Sequence, residues 1–330
     1  MKLEVEREHW PLQKPFRISG LTLSGMDVVV VPIEQDGFVG RGEAAGVFYL
    51  QDDVQAIVRA IEAVRPDIEA GITRDSLQKL LPAAGARNAV DCALWDLEAK
   101  QSERSVWQLA GLNAPRPLVT AYTLGADSPA EMAEGARCFA GAKLLKLKLT
   151  GEPQDADRIA AVRAARPDVS LTVDANQSFT RDLLEQLLPT LTEARVSLIE
   201  QPFQRGDEAL HDGLRLPIPV AADESVQTEA DLPIAVGRFD LVNIKLDKAG
   251  GLTGALAMAR AARRLGLDIM VGHMGGTALA MAPGFLIGQL CRFVDLDGPA
   301  LLRSDRSPGA LYTDGQIWCS EAVWGSAAAS

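Results

Sequence analysis

The chain has 330 residues, 47% of them hydrophobic and 23% charged, with 44 acids against 33 bases for a net charge of −11. That balance excludes a disordered or fibrous protein, and the sign of the charge argues against nucleic acid or an anionic membrane surface as the main partner. The four cysteines, Cys92, Cys138, Cys291 and Cys319, show no CxxC and no paired spacing. A reduced, cytoplasmic protein is the simpler expectation than a disulfide framework or a thiolate zinc site. Met1–Glu8 alternates charged residues where a signal peptide needs an apolar core. No apolar run approaches the roughly 18 residues of a membrane span.

The first third reads as a small α+β unit. Met26–Glu34 is valine-rich, Asp36-Gly37 is a hairpin turn, and Phe38–Glu43 follows. Asp53–Val64 and Ala86–Ala99 place apolar residues at helical spacing. Gly111–Pro117 has linker composition. From Leu118 onward, short apolar runs alternate with helix-like stretches. The predicted strands are Val119–Leu124, Leu144–Leu149, Ser170–Asp174, Val196–Glu200, Pro219–Asp223, Leu241–Lys245, Asp268–Gly272 and Arg292–Asp295. Their ends fall about 22 to 27 residues apart, the length of one βα unit. Asp155 is expected to cap a helix that Pro167 closes, and a Leu252–Leu265 stripe ends at Gly266. The pattern predicts an α/β fold, a (β/α)8-type barrel in residues 113–300 with an α+β capping domain in residues 1–112. Residues 301–330 are expected to return to the cap, with a disordered tail from Gly325. The competing open, dinucleotide-binding sheet lacks a GxGxxG after a strand, and Gly40-x-Gly42 alone is a weak signal.

Active-site groups of such barrels project from the C-terminal strand ends. Those ends carry Lys146 and Lys148, Asp174 and Asn176, Glu200, Asp223, Lys245 and Asp247, then Asp295 and Asp297. Strand alternation puts both lysines of Lys146-Leu147-Lys148 on one face, and in a barrel that face is the mouth. Two neighbouring ammonium groups would lower each other's pKa, as a lysine base requires. A solvated edge strand is the alternative for this triplet. Asp174, Glu200 and Asp223 end three successive strands. Helix N-capping accounts for any one of them, but three converging carboxylates call for a cation, and an all-oxygen set suits Mg²⁺. Lys245 ends the sixth strand, across the barrel from the second. One base on each face of a carbon acid is what a 1,1-proton transfer through an enediolate needs.

With these residues in place the sequence resembles the enolase superfamily, in its muconate-lactonizing-enzyme subgroup. The likeness rests on K-L-K (146–148), V-D-A-N (173–176), I-E-Q-P (199–202), A-D-E-S (222–225), N-I-K-L-D-K-A-G-G-L (243–252) and the capping-domain A-L-W-D-L (93–97). It covers essentially the whole chain. F-V-D-L-D-G-P (293–299) is similar to the eighth-strand D-x-D of the L-Ala-D/L-Glu type of dipeptide epimerase. The resemblance implies Lys148 and Lys245 as acid/base catalysts, with Lys146 tuning Lys148. It implies Asp174, Glu200 and Asp223 as ligands of one Mg²⁺ per subunit, with Asn176, Glu224 and Asp247 supporting them. Asp295 and Asp297 would hold the ammonium of a small-molecule dipeptide, although an acidic turn before Gly298-Pro299 is the simpler alternative for that pair. A homo-oligomer stays open.

The chain departs from the family in the stretch Pro15–Leu23. Positions where many such epimerases carry an arginine for the substrate's glutamate are Gly20, Leu21 or Leu23, with Arg17 earlier in the chain. Val47-Phe48-Tyr49-Leu50 is also apolar. Leu21, Leu23 and Phe48 are therefore expected to make a pocket favouring an apolar or uncharged side chain over glutamate. His273, where relatives often have cysteine, is a candidate pocket residue or a structural histidine; His9 and His211 read as structural or surface residues. The alternatives to an epimerase are an o-succinylbenzoate synthase or muconate-type cycloisomerase of the same subgroup, a Schiff-base aldolase barrel, and a non-catalytic barrel.

Overall fold

The computed structural model describes residues 1–18 and 20–327. Residues 328–330 of the expected tail, and Ser19 of the capping stretch, lie outside them.

The N-terminal part is an antiparallel sheet of Lys2–Leu3, Glu6–Ile18, Leu21–Gln35 and Phe38–Ala44. Sequence patterning begins the second long strand at Met26; the structure extends it back to Leu21 and adds Glu6–Ile18 before it. That first long strand does alternate, with Trp10, Leu12, Phe16 and Ile18 less exposed than the residues between them, but Pro11 and Pro15 interrupt it and read against a strand. Its register shifts between Pro11 and Phe16, where Pro11 and Pro15 withhold ladder donors. The helix Gly85–Ser102 lies across Phe38–Ala44 and is buried on nearly every side. Gly40 and Gly42 make this approach possible. A Cβ at these positions would stand 2.1 Å from the Ala93 carbonyl and 2.0 Å from that of Ala89. The Gly-x-Gly pair is thus a packing device between strand and helix. The helix Val54–Ala63 is capped by Asp53, whose Oδ1 accepts from the Ala56 amide at 2.8 Å.

Eight parallel strands, in sequence order among the described residues, form the second sheet: Ala121–Leu124, Leu144–Lys148, Ser170–Asp174, Val196–Glu200, Val220–Ala222, Leu241–Lys245, Asp268–Gly272 and Phe293–Val294. No ladder joins the first to the eighth. Side chains close that seam: Thr120 Oγ1 accepts from the Leu296 amide at 3.0 Å, and Asp297 Oδ2 accepts from the Thr123 amide at 2.6 Å. Alternation sorts the strand residues. Leu145, Leu147 and Leu149 pack under the surrounding helices, in the same core as Ile159, Val162, Leu184 and Leu187. Leu198, Leu241 and Met270 fill the barrel base with Phe293. One pleat higher on the same inward faces stand Glu200, Asn243, Gly272 and Asp295. Asp155 does not cap its own helix, whose N-cap is Gln154. Its carboxylate turns back to the Thr150 and Gly151 amides and to Arg158.

The C-terminal residues run back along the cap. Leu302 bridges Leu12, and Trp324 Nε1 donates to the Arg41 carbonyl at 2.8 Å. The hairpin Leu311–Thr313 and Gln316–Trp318 adds to Leu118–Val119. Gly325, where disorder is expected to begin, donates to Asp96 at 2.8 Å and accepts from the Val106 amide. No helix among the described residues is long and apolar enough to cross a membrane.

Candidate active site

A cleft opens over the C-terminal ends of the barrel strands, walled on one side by the cap. Lys146, Lys148, Asn176, Asp223, Glu224, Lys245, His273, Asp295 and Asp297 face it from the barrel. Phe16, Ile18, Leu23, Met26, Phe48 and Tyr49 face it from the cap.

Lys146, 2% exposed, sits among three carboxylates: Asp174 at 3.0 Å, Glu200 at 2.8 Å and Asp295 at 2.8 Å. Lys148 Nζ donates to Asp174 at 2.7 Å and to Asn176 Oδ1 at 3.1 Å. Lys245 meets Asp223 Oδ2 at 2.7 Å. The expectation that paired ammoniums would lower the lysine pKa is overturned for Lys146. Burial does oppose its charge, but Asp174, Asp295 and Glu200 together outweigh burial and raise it well above the ordinary lysine range. Lys245 is raised in the same way, against burial, by Asp223 and Glu200.

The carboxylates are unequal. Burial works against the charges of Asp174 and Asp223, yet their lysine partners hold both well below the ordinary range. Glu200 is pushed up to about 7 by burial and by Asp174. Glu224 is pushed up to about 8 by burial, Asp223 and Asp174, and its Oε2 is buried without a partner. Negative charge here exceeds what the lysines compensate, which suits an oxygen-only cation site. Asn176 joins this group, donating to Glu224 Oε1 at 3.2 Å while its amide meets Asp174.

A tighter set, with potential ligand atoms all within 4.8 Å of one another, is His273, Asp295 and Asp297. It suits a metal less well. His273 Nδ1 already accepts the Gly275 amide at 2.9 Å, and its Nε2 lies 3.1 Å from Asp297 Oδ1. Neither ring nitrogen is a free ligand. The Asp174–Glu200–Asp223 group, from three adjacent strands, is the better fit to a divalent ion, with lysines lying among its carboxylates in this structure.

Two side chains expected at the site stand elsewhere. Asp247 reaches the cap, its Oδ1 accepting from the Ala45 and Gly46 amides at 3.1 and 2.8 Å. Burial pushes it up to about 7. Leu21 lines a neighbouring outer cavity with Arg17, which pairs with Asp127 at 3.6 Å. Leu23 and Phe48 do face the cleft, Phe48 half exposed at its lip. His9 is an exposed partner of Asp27, and His211 is buried between the rings of Phe203 and Phe239.

Lys248, Gln201, Asn243 and Tyr49 have no role assigned from sequence. Lys248, fully buried, donates to Asp223 Oδ1 at 2.7 Å, the Asp223 carbonyl at 2.6 Å and the Val226 carbonyl at 2.8 Å. Gln201 Oε1 accepts from the Asp223 and Ser225 amides. Asn243 donates to Glu200 Oε1 at 2.8 Å. Tyr49 joins the cap loop to Gln227, whose Nε2 donates to the hydroxyl at 3.2 Å. The first three lie inside or beside the quoted motif runs; an apolar-flanked tyrosine carries no such signal.

The family model described as mandelate racemase / muconate lactonizing enzyme, N-terminal domain, matches residues 1–111, and that described as enolase C-terminal domain-like matches residues 130–317. The L-Ala-D/L-Glu epimerase of Escherichia coli (strain K12) is 40% identical over 96% of this chain and 98% of its own. A crystal structure of an enolase family member from Agrobacterium tumefaciens with homology to dipeptide epimerases, holding sodium and L-Ala-L-Glu, superposes with a TM-score of 0.95. It shows 42% identity and coverage of 98% of this chain and 99% of that one. The dipeptide epimerase from Methylococcus capsulatus, complexed with Mg and L-Arg-D-Lys, gives a TM-score of 0.88 at 30% identity, covering 97% and 96%. Two domain models spanning most of the chain and a relative at this identity leave one conclusion: the chain belongs to the enolase superfamily, in its mandelate racemase / muconate lactonizing enzyme group.

Proposed function

We propose that this protein is a Mg²⁺-dependent dipeptide epimerase that inverts the α-carbon of the C-terminal residue. The observation that carries the reading is the placement of Lys148 and Lys245 at the ends of the second and sixth of eight barrel strands, four strands apart. Between them, at or just past the ends of the third, fourth and fifth strands, lie Asp174, Glu200 and Asp223, and farther round the rim Asp295 and Asp297. Asp174, Glu200 and Asp223 would hold Mg²⁺, with Asn243, Asn176, Gln201 and Lys248 fixing their orientations. When bound, the ion neutralises negative charge that develops on the substrate carboxylate as the α-proton leaves. One lysine, neutral, takes that proton from its face; the other, as ammonium, returns one to the opposite face, so the two end with exchanged protonation states. Lys146 sets the charge around Asp174 and Asp295. Asp295 and Asp297 receive the amino end of the dipeptide.

The cap, residues 1–112, supplies the side-chain pocket, residues 113–300 supply the chemistry, and the described residues from 301 to 327 bind the two together. Ile18, Leu23 and Phe48 bring no charge to the rim, which supports a preference for apolar or uncharged side chains although relatives act on Ala-Glu. All four cysteines are free thiols, in keeping with a cytoplasmic setting.

The test is mass spectrometry of a dipeptide library incubated with enzyme and Mg²⁺ in D₂O. Substrates are expected to gain about one mass unit, the single α-proton exchanged. Ala-Leu should outpace Ala-Glu, and a strong Ala-Glu preference would end the apolar-pocket reading. If no dipeptide exchanges on metal-loaded, folded enzyme, a lyase of the same subgroup replaces the epimerase.

A further inference from the structure

The cap loop that follows Phe38–Ala44 carries Phe48 and Tyr49 to the cleft wall. Its first two amides lie past the end of the strand ladder and need acceptors of their own. Asp247 Oδ1 takes both, from Ala45 at 3.1 Å and from Gly46 at 2.8 Å, and Asn88 of the helix Gly85–Ser102 donates to the same carboxylate. Asp247 is 5% exposed and stands two residues after Lys245, in the short helical turn Leu246–Ala249 that starts from that lysine. The loop is tied down further on. Asp52 Oδ2 accepts from the Val47 amide at 3.3 Å and the Gly85 amide at 2.7 Å. Gly46, at φ +79°, passes so close that a Cβ there would stand 2.0 Å from the Asp52 carbonyl oxygen. Phe48 and Tyr49 meet edge to face at 5.3 Å, and Gln227 holds the Tyr49 hydroxyl from the barrel side at 3.2 Å.

We propose that Asp247 is a positioning residue for substrate selection: by fixing the Ala45–Gly46 backbone to the turn after Lys245, it sets where Phe48 and Tyr49 stand over the side chain of the residue being inverted. The inference rests on the dipeptide reading above and adds to it a residue outside the cleft lining. A carboxylate serves here where an apolar residue cannot, because one oxygen offers two lone pairs to two amides. Without it those amides must find water, and the loop reaches water only by moving off the barrel. A group so near Lys245 has one competing role, alignment of that lysine, and losing that would slow exchange on every substrate alike.

The experiment compares the L-Ala-L-X dipeptide that the enzyme exchanges fastest with L-Ala-Gly, whose C-terminal residue has α-hydrogens but no side chain. Both are followed by deuterium uptake in D₂O on full-length Mg²⁺-loaded enzyme, with kcat and KM for each. In Asp247→Leu the preference for L-Ala-L-X, as a ratio of kcat/KM values, should fall about ten-fold, carried by KM for L-Ala-L-X. Asp247→Asn keeps the oxygen that takes both amides and should restore most of the preference. Phe48→Ala should lower the preference in wild type but add little in Asp247→Leu, since both act through one loop. L-Ala-Gly exchange in each variant reports a folded site. If the leucine variant does not fold, Asp247→Ser, too short to span to the amides, carries the same comparison. The proposal is overturned if these variants keep the wild-type preference, if both substrates slow equally, if the Phe48 and Asp247 effects simply add, or if wild type shows no preference to lose. If wild type exchanges no dipeptide at all, the functional reading itself has failed and this inference falls with it.

Discussion

Lys248→Met is a direct probe of how the candidate metal site is held. The lysine side chain has no solvent exposure, and its three N–H bonds go to Asp223 Oδ1, the Asp223 carbonyl and the Val226 carbonyl at 2.6 to 2.8 Å. Methionine matches the stem in volume and donates nothing. The variant leaves the buried Asp223 carboxylate with Lys245 as its remaining lysine partner and deprives two carbonyls of a donor. Removing one partner of a buried ion pair costs about 3–5 kcal/mol, because the remaining charge stays desolvated. Urea denaturation of metal-free enzyme, followed by circular dichroism, should show a loss on that scale. Adding Asp223→Asn should recover part of the stability by removing the stranded charge, without recovering activity. In the single variant, the Mg²⁺ concentration for half-maximal exchange should rise, since Asp223 is no longer fixed from behind. A stability loss below about 1 kcal/mol, no greater than a typical neutral hydrogen bond, would refute the view that Lys248 compensates Asp223.

Two further predictions test other parts of the molecule. Gly272→Ala would set a Cβ 2.8 Å from Asn243 Oδ1 and 3.1 Å from Lys245 Cε; displacement of both should lower kcat/KM by on the order of 100-fold, and exchange within two-fold of wild type would show that the site yields freely. His211 is lowered to about 4, chiefly by burial, so between that value and its unfolded pKa near 6.5 the unfolded chain binds the extra proton. Stability should therefore fall as pH drops from 7 to 4.5, by roughly 2 kcal/mol from this residue, and His211→Gln should flatten that slope in urea titrations; an unchanged slope would exclude His211 as its source.

Much of the site was legible because barrel geometry is periodic. Strand alternation alone puts Lys146 and Lys148 on one face, and the repeat of βα units puts Asp174, Glu200 and Asp223 on neighbouring strand ends. The direction of the lysine shift was not legible. Lys146 and Lys148 are neighbours in sequence, but the groups that set the charge of Lys146, Asp174, Glu200 and Asp295, come from 28 to 149 positions along the chain. Glu6–Ile18 was not legible because Pro11 and Pro15 interrupt the alternation of Trp10, Leu12, Phe16 and Ile18. Gly40-x-Gly42 is a weak signal in the sequence, and its packing role depends on the helix Gly85–Ser102 that lies against it.

The amino-acid sequence by itself determined the candidate residues for the chemistry and the order of the elements that carry them, since periodicity, turn residues and motif spacing are local properties. The tertiary structure decided which partner each charge has. It sent Asp247 to the cap loop, Lys248 beneath Asp223 and Leu21 out of the cleft, and it tied Asp295 to Lys146 and Asp297 to Thr123 and His273. Pairings of that kind depend on distances between groups far apart in the chain, and in a low-dielectric interior those distances, more than residue type, fix charge and acidity.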